Sequence, residues 1–392
     1  MSTLIPKFDL KNGGTTPANA INRPINEKLS DSVSVLDFDA DPTGIADSST
    51  AFSSAIGTGK AVYVPSGTYL INISITNRTV IYGDGSTASI VKPFNVAVAA
   101  MTYKYVDVAW TYHSEIRDIG FNGLATRTGV GFTFGQTVPA NFQTDDQYTR
   151  NVKFYGCYFY NLEKGIQFPY GNIGTEFYSC GFQSNFYGVY ALNNKFGGDP
   201  MHAGNKYFYA GEMSGNNCAV YIDNSVDGFG AVSFTDTIVE GNYIGFYVNN
   251  SSGYMSNPVV FRNVWLEANG SLKGGSTTID SWSGSTKSTQ TLTNKTIILA
   301  GINMFFSVND SVFTDASITA TNSVITVNNC RTEVSSGVNG GLTTVADTSV
   351  LNLVNCQANY GLPQGKNVVL SGMTNQWLPA IDNQNFQRYK SK

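Results

Sequence analysis

The feature that most constrains this chain is an internal repeat. The segments "FYGCYFYNLEKGIQF" from Phe154, "FYSCGFQSNFYGVYA" from Phe177, "FYAGEMSGNNCAVYI" from Phe208 and "FTDTIVEGNYIGFYV" from Phe234 align without gaps, and "FRNVWLEANG" from Phe261 opens a fifth copy. Their starts are 23, 31, 26 and 27 residues apart. Five positions after each leading Phe stands an apolar residue, Phe159, Phe182, Met213, Val239 and Leu266. Six positions further comes a small one, Gly165, Gly188, Ala219 and Gly245. Between them lies an Asn, at 185, 216, 242 and 269, with Asn161 one place early. Short alternating strands, a tight corner and a polar ladder residue at this period specify a parallel β-solenoid, in which each coil pairs its backbone with the coils on either side. A second pair, "NSVITVNNCR" from Asn322 and "TSVLNLVNCQ" from Thr348, carries the pattern toward the C-terminus.

Stacking also removes the usual inference from length, because 392 residues can form one solenoid instead of several globular domains. Composition agrees: 22 Tyr, 24 Phe and 40 Gly with only 13% charged residues describe a β-rich, turn-rich chain. A net charge of −4 without a basic cluster argues against nucleic acid as a partner. The start, "MSTLIPKFDLKNGG", lacks the apolar core of a signal peptide, and no stretch has the length of a membrane span, so no membrane insertion is expected. The five cysteines form no CxxC pair. They read as reduced core residues, Cys157 stacked on Cys180 and Cys330 on Cys356, and no metal or cofactor is expected.

Four regions follow. Residues 1–30 read as a polar arm, 31–60 as an N-terminal cap, 61–360 as the parallel β-helix and 361–392 as a C-terminal cap or contact segment. Ala51, Phe52, Ala55 and Ile56 have helical spacing, which predicts a short capping helix. A Gly/Ser/Thr-rich stretch near 271–296 reads as a loop or break. The segment "NNKFGGDPMHAGNKY" (193–207) reads as an insertion at a corner.

Strand alternation then sorts the outward residues into columns. One runs Tyr160, Gln183, Ser214, Glu240, Glu267, and its companion runs Tyr158, Gly181, Glu212, Ile238, Trp265. Glu240 and Glu267 therefore stand on adjacent coils, about 4.8 Å apart at the backbone. Carboxylates this close repel, so one keeps its proton above the ordinary range, and a protonated beside an ionised carboxyl is the equipment of a glycosidase. Glu212 is a third candidate, and Trp265 can desolvate the pair and stack on a sugar. Outward Glu is also ordinary solvated surface; the shared register and Trp265 set this pair apart. Asp236 sits where a turn favours Asp. Tyr155, Tyr178 and Tyr209 form another outward stack, a glycan platform or a subunit contact. With Tyr158, Tyr160 and Trp265, Tyr178 and Tyr209 are the candidate substrate-binding residues. His202 and Asp199 are either an acid/base pair or incidental loop residues.

At the start of the solenoid, "SVLDFDADPTGIADSSTAFSSAI" (34–56) and "AVYVPSGTYLI" (61–71) resemble the N-terminal segment of the pectate-lyase-like superfamily, in particular phage tailspikes and polysaccharide depolymerases. There the pattern is roughly S-V-x-D-F-G-A-x-G-D-G, a D-x-T-x-A-F-x-x-A-I helix and V-Y-V-P-x-G-x-Y. The match covers Val35, Asp37, Phe38, Ala40, Gly44, Asp47, Ala51, Phe52, Ala55, Ile56 and Val62 to Tyr69. Asp39 stands where Gly is usual, and "DPTG" replaces the Gly-Asp-Gly turn. The resemblance implies an all-β, right-handed parallel β-helix assembled as a homotrimer on a phage tail or baseplate. Such a protein is built in the host cytoplasm, resides in the virion tail and cleaves bacterial surface polysaccharide, capsule or O-antigen.

Three functions remain open. An endo-glycosidase would use Glu240 and Glu267 as acid and base or nucleophile. A polysaccharide lyase would need a base, for which Arg262 and His202 are the candidates, and a neutraliser of the uronate. A non-catalytic receptor-binding spike would need no paired acids. The stacked glutamates favour the first.

Overall fold

Each coil opens on a strand whose side chains point alternately in and out, as in Val152–Tyr155, Thr175–Tyr178, Lys206–Tyr209 and Val232–Thr235. One left-handed residue then turns the corner: Gly156, Ser179, Ala210, Asp236 and Asn263 have φ of 58°, 52°, 50°, 53° and 51°. For the non-glycine residues this conformation costs about 1 kcal/mol or more. It is held because the corner N–H groups bond to the next coil, Ser179 N donating to Tyr209 O at 2.8 Å and Ala210 N to Thr235 O at 3.0 Å. A three-residue strand follows, then a second left-handed corner at Asn161, Ser184, Gly215, Gly241 and Ala268. A third strand completes the coil.

In this computed structural model, which describes residues 7–8, 23–24, 31–76, 78–104, 113–134, 149–169, 172–192, 206–223, 232–250, 259–283, 286–301, 304–314, 318–333, 349–355, 357–358 and 368–371, the coils stack into three parallel sheets. The first has 13 strands, the second 12 and the third 9. Together they make a right-handed parallel β-helix, the hand expected of parallel crossovers. The repeat alignment is the observed register: Phe154, Phe177, Phe208, Phe234 and Phe261 pair in succession on the first sheet, and Phe159, Phe182, Met213, Val239 and Leu266 on the second.

Inside, like residues lie on like. Phe154, Phe177 and Phe208 stack at 4.8 and 4.5 Å, and Phe121, Phe159 and Phe182 at 4.7 and 4.8 Å. Burying each ring contributes roughly 2 kcal/mol or more before the entropy of ordering it. The small-residue column has a steric cause: a Cβ on Gly188 would lie 2.6 Å from the carbonyl oxygen of Ala219 on the next coil.

The Asn column is a buried hydrogen-bonded ladder. Asn185 Nδ2 donates to Asn216 Oδ1 at 3.1 Å, Asn216 Nδ2 to Asn242 Oδ1 at 2.9 Å and Asn242 Nδ2 to Asn269 Oδ1 at 2.8 Å. Each carbonyl oxygen also accepts the backbone N–H of the preceding Asn, as Asn216 Oδ1 does from Asn185 N at 2.9 Å. Asn161 does not belong to it. It occupies the second corner and accepts from Arg127 N, while buried Leu162 takes the ladder position and donates its N–H to Asn185 Oδ1.

The cap is built by the segment that resembles the superfamily. Ser34 and Asp37 bond reciprocally around the turn Val35–Phe38, and Asp39 has φ 63°, which explains why glycine is usual there. In "DPTG", Asp41 accepts from the N–H groups of Thr43, Ile45 and Ala46 and closes the turn, in which Gly44 supplies the left-handed residue at φ 76°. The helix Ser49–Gly57 buries Ala51, Phe52 and Ala55.

The stretch expected as a loose loop is folded. Ser276–Ser283 and Thr286–Thr293 form an antiparallel hairpin, while the coil strands on either side of it, Ile244–Asn250 and Ile297–Gly301, pair directly. The hairpin covers the outer face of the third sheet, burying Tyr187, Tyr190, Tyr221 and Tyr247 with its own Ile279. Asp280 Oδ2 accepts the Tyr190 hydroxyl at 2.7 Å and its carbonyl accepts Tyr221 at 2.9 Å, while Gln290 Nε2 donates to Tyr247 at 2.7 Å. Threonine-rich strands with Ile279, Gln290 and Leu292 on one face suit a ribbon with one covered side.

Cys157, Cys180, Cys218 and Cys330 are free and buried; Cys356 and residues 193–205 of the expected insertion lie outside the described residues, while its last two, Lys206 and Tyr207, begin the strand Lys206–Tyr209. Of the terminal regions, Lys7–Phe8 pairs antiparallel with Arg23–Pro24, and Val368–Ser371 stacks in parallel on Val350–Val354. No helix among the described residues is long and apolar enough to cross a membrane.

The ladder yields a stability prediction. Asn216→Leu orphans the Asn185 N–H and the Phe182 carbonyl, which accepts Asn216 Nδ2 at 2.9 Å, and should cost about 4 kcal/mol in urea unfolding at 1–3 kcal/mol per buried unsatisfied group. Asn161→Gly, at the left-handed corner, should cost under about 1 kcal/mol. Equal losses would mean the ladder is not a special source of stability.

Candidate functional site

The second sheet carries the acidic residues because its three-residue strands point their two end residues out of the coil and the middle one into it. Glu212–Ser214, Ile238–Glu240 and Trp265–Glu267 lie on successive coils. Met213, Val239 and Leu266 point inward, which turns Glu212, Ile238 and Trp265 outward in one column and Ser214, Glu240 and Glu267 in the other. Glu240 and Glu267 are register partners with half-buried side chains, and Glu212 is exposed one coil earlier. Ile238 and Trp265 keep 44% and 43% of their surface in solvent, an exposed apolar edge beside the acids.

The electrostatics follow from this crowding. Burial pushes the Glu240 carboxyl above the ordinary range, and the charges of Glu212 and Glu267 push it further the same way. Among the described residues none of the three is in an ion pair with Lys or Arg; the pairs formed lie elsewhere. Glu267 is instead oriented by Trp265, whose Nε1–H donates to Glu267 Oε2 at 2.9 Å. Lys273 stands at the edge, its ammonium 5.8 Å from the centre of the Tyr243 ring and over the Gly241 corner. A carboxyl that holds its proton beside a carboxylate fixed by an N–H donor can give a proton to one atom while the other stabilises or attacks its neighbour.

Tyr158 and Tyr160 lie on this face two coils before Glu212, their ring planes within 14° of each other. The Tyr158 hydroxyl donates to Gln183 Oε1 on the next coil. Burial, then the Glu212 charge, raises the phenol pKa. Gln183 stood in the outward column without a role. The signal for it was Gly181, the one residue without a side chain in a column that starts with Tyr158.

The other candidates lie apart. Tyr178 and Tyr209 are on the first sheet, stacked with Tyr155 at 5.0 and 4.9 Å, so their faces cover each other and only edges point outward. Tyr178 donates to Glu176. Arg262 ends a strand of the same first sheet, and Asp236 is a corner residue accepting Asn263 Nδ2 at 2.6 Å. His202 and Asp199 lie outside the described residues. Among the described residues no group of His, Cys, Asp and Glu is arranged to hold a metal.

Comparison with known proteins supports the architecture. A sequence model of the family described as rhamnogalacturonase A/epimerase, pectate lyase-like, matches residues 32–247. The crystal structure of tailspike protein 3 of bacteriophage CBA120 is similar at TM-score 0.51 and 12% identity, over 96% of this chain and 66% of that one. The Agl-KA catalytic domain is similar at TM-score 0.52 and 14% identity, over 92% of this chain and 70% of that one. At these identities the likeness is one of fold. The preneck appendage protein of Bacillus phage PZA is 26% identical over 169 residues, 40% of this chain and 20% of that relative. The match thus spans a fifth of the relative's length.

Glu240 supplies a pH prediction. Its raised carboxyl contributes stability that is full while it is protonated and is lost as pH rises through its folded-state pKa. Glu240→Gln should therefore raise Tm at pH 8 and leave it unchanged near pH 4, about the ordinary Glu value. A benefit that appears only on acidification would show that burial and the neighbouring acids do not raise the Glu240 carboxyl.

Proposed function

For a chain that belongs to the rhamnogalacturonase A/epimerase, pectate lyase-like family, we propose the function of a phage tailspike that binds bacterial capsule or O-antigen and cuts it by endo-glycosidic hydrolysis on the second sheet. The observation that carries this reading is the register pairing of Glu240 with Glu267 beside Trp265. Glu240, holding its proton, gives it to the glycosidic oxygen as the bond to the anomeric carbon breaks. Glu267, steered by the Trp265 N–H, acts as the base that activates water or as the nucleophile. Glu212 adds negative charge that favours protonated Glu240 and the positive charge of the transition state.

Charge favours hydrolysis over elimination. A lyase must hold a uronate carboxylate and pull a proton from the neighbouring carbon, which requires positive groups about that carboxylate. Here the face holds three carboxylates, none ion-paired with a described Lys or Arg. The tail location rests on the phage relative and the tailspike neighbour. A homotrimer is in keeping with the resemblance, and the outward stack of Tyr155, Tyr178 and Tyr209 is its candidate contact.

The test is incubation with a panel of purified capsular and O-antigen polysaccharides, following reducing ends and the ultraviolet absorbance of unsaturated uronates. New reducing ends without that absorbance, reduced about 10²- to 10⁴-fold in Glu240→Gln and Glu267→Gln, are expected for loss of an acid or base. Unsaturated products would replace this reading with a lyase. Binding without cleavage would leave a receptor-binding spike.

A further inference from the structure

Tyr158 lies in an unusual position for an outward residue of a β-solenoid. Its register partner on the next coil is Gly181, and a Cβ on Gly181 would fall 2.3 Å from both Cδ2 and Cε2 of the Tyr158 ring. The ring therefore occupies the space that any other residue at 181 would fill, lying over the backbone of the neighbouring coil. Its hydroxyl is tethered two residues further along that coil's strand by Gln183 Oε1. The contrast is with Tyr155, Tyr178 and Tyr209 on the first sheet, where successive large residues hold one another face to face. On the second sheet the missing side chain lets the Cδ2–Cε2 edge of the ring tip into the space above Gly181, so the register partner puts no side chain against its faces. Tyr160 stands beside it with a nearly parallel ring and 38% exposure.

We infer that Gly181 and Gln183 are positioning residues for a sugar subsite, in which Tyr158 presents its open face to the C–H face of an uncharged pyranose next to the carboxylate cluster. This rests on the hydrolase reading above and adds a substrate class to it. A pyranose has an apolar face of axial hydrogens that packs on a flat aromatic ring, whereas an edge-on ladder gives it no surface. Glu212, the register partner of Gly181 on the following coil, places a negative charge at the far end of the platform. That charge disfavours an anionic sugar there. A polysaccharide bound on Tyr158 thus continues along the helix axis toward Glu240 and Glu267.

The proposal is tested by a double-mutant cycle in the full chain, using the polysaccharide that the wild type retains from the panel and the Glu240→Gln background to prevent turnover. Affinity is measured for this background and with Tyr158→Ala, Gly181→Ala and both added. Gly181 carries no positive φ, and Ala raises strand propensity, so Gly181→Ala should lower Tm by no more than Tyr158→Ala, which loses the same ring packing and hydroxyl bond. Each single change is expected to weaken binding about tenfold, and the double to weaken it no more than Tyr158→Ala alone, because Gly181 acts only through the ring. Gln183→Ala should weaken binding by a smaller factor, and lose that effect too when Tyr158 is absent. Losses that multiply, or tight binding by Gly181→Ala, would overturn the subsite while leaving the hydrolase reading intact. A wild type that retains no polysaccharide would overturn both.

Discussion

Register pairing of one coil's backbone with the next is the constraint on which everything else in this molecule depends. The hydrogen bonds run through strands and corners alike, so each residue is placed directly over its counterpart about 4.8 Å away. Left-handed corner residues, which would be a liability in an isolated turn, are locked because their N–H groups donate to the next coil. A solenoid built this way has little freedom to stagger unlike residues against each other. It must choose, column by column, which residue tolerates its own kind as a neighbour.

Most columns choose well. Phenylalanine stacks on phenylalanine at 4.5 to 4.8 Å in the core, and asparagine suits a buried column because its amide donates forward and accepts backward, satisfying the backbone as it goes. Glutamate is the poor choice: like charges in register oppose each other, and burial adds to the penalty at Glu240. Gln183 and Ser214 occupy the same column on earlier coils without that conflict. A local violation of an otherwise consistent pattern is where function is expected, since a site needs groups whose environment pushes their protonation apart.

The same constraint decides how much was legible in the sequence. Once the Phe-led segments were aligned, the inward columns, the outward columns and the pairing of Glu240 with Glu267 followed from period-2 alternation, and the structure reproduces them pair by pair. Legibility failed where residues act outside the column. Asn161 looked like a ladder member shifted by one place, but a left-handed corner residue and a ladder residue are both commonly Asn, and composition does not separate them. The 271–296 stretch looked like a loop because its Ser and Thr residues hide a hairpin whose stability comes from the tyrosines beneath it. Tyr178 and Tyr209 share outwardness with Trp265 but lie on the first sheet and not the second, and outwardness alone does not say which face of a three-sided coil a residue is on.

The three faces of the coil also differ in what they leave open to a ligand. On the third, the hairpin covers Tyr187, Tyr190, Tyr221 and Tyr247 and engages the hydroxyls of the last three, so these rings are closed to a ligand. On the first, Tyr155, Tyr178 and Tyr209 close their faces on each other and turn only edges outward, and Lys153 pairs with Glu176. The described part of the second sheet is different in kind. It combines exposed Ile238 and Trp265, three acids without a cationic partner, and a tyrosine laid over a glycine. Groups that a fold leaves unsatisfied at a cost to its own stability are those that a substrate can satisfy, and here they are gathered along one strip of one face.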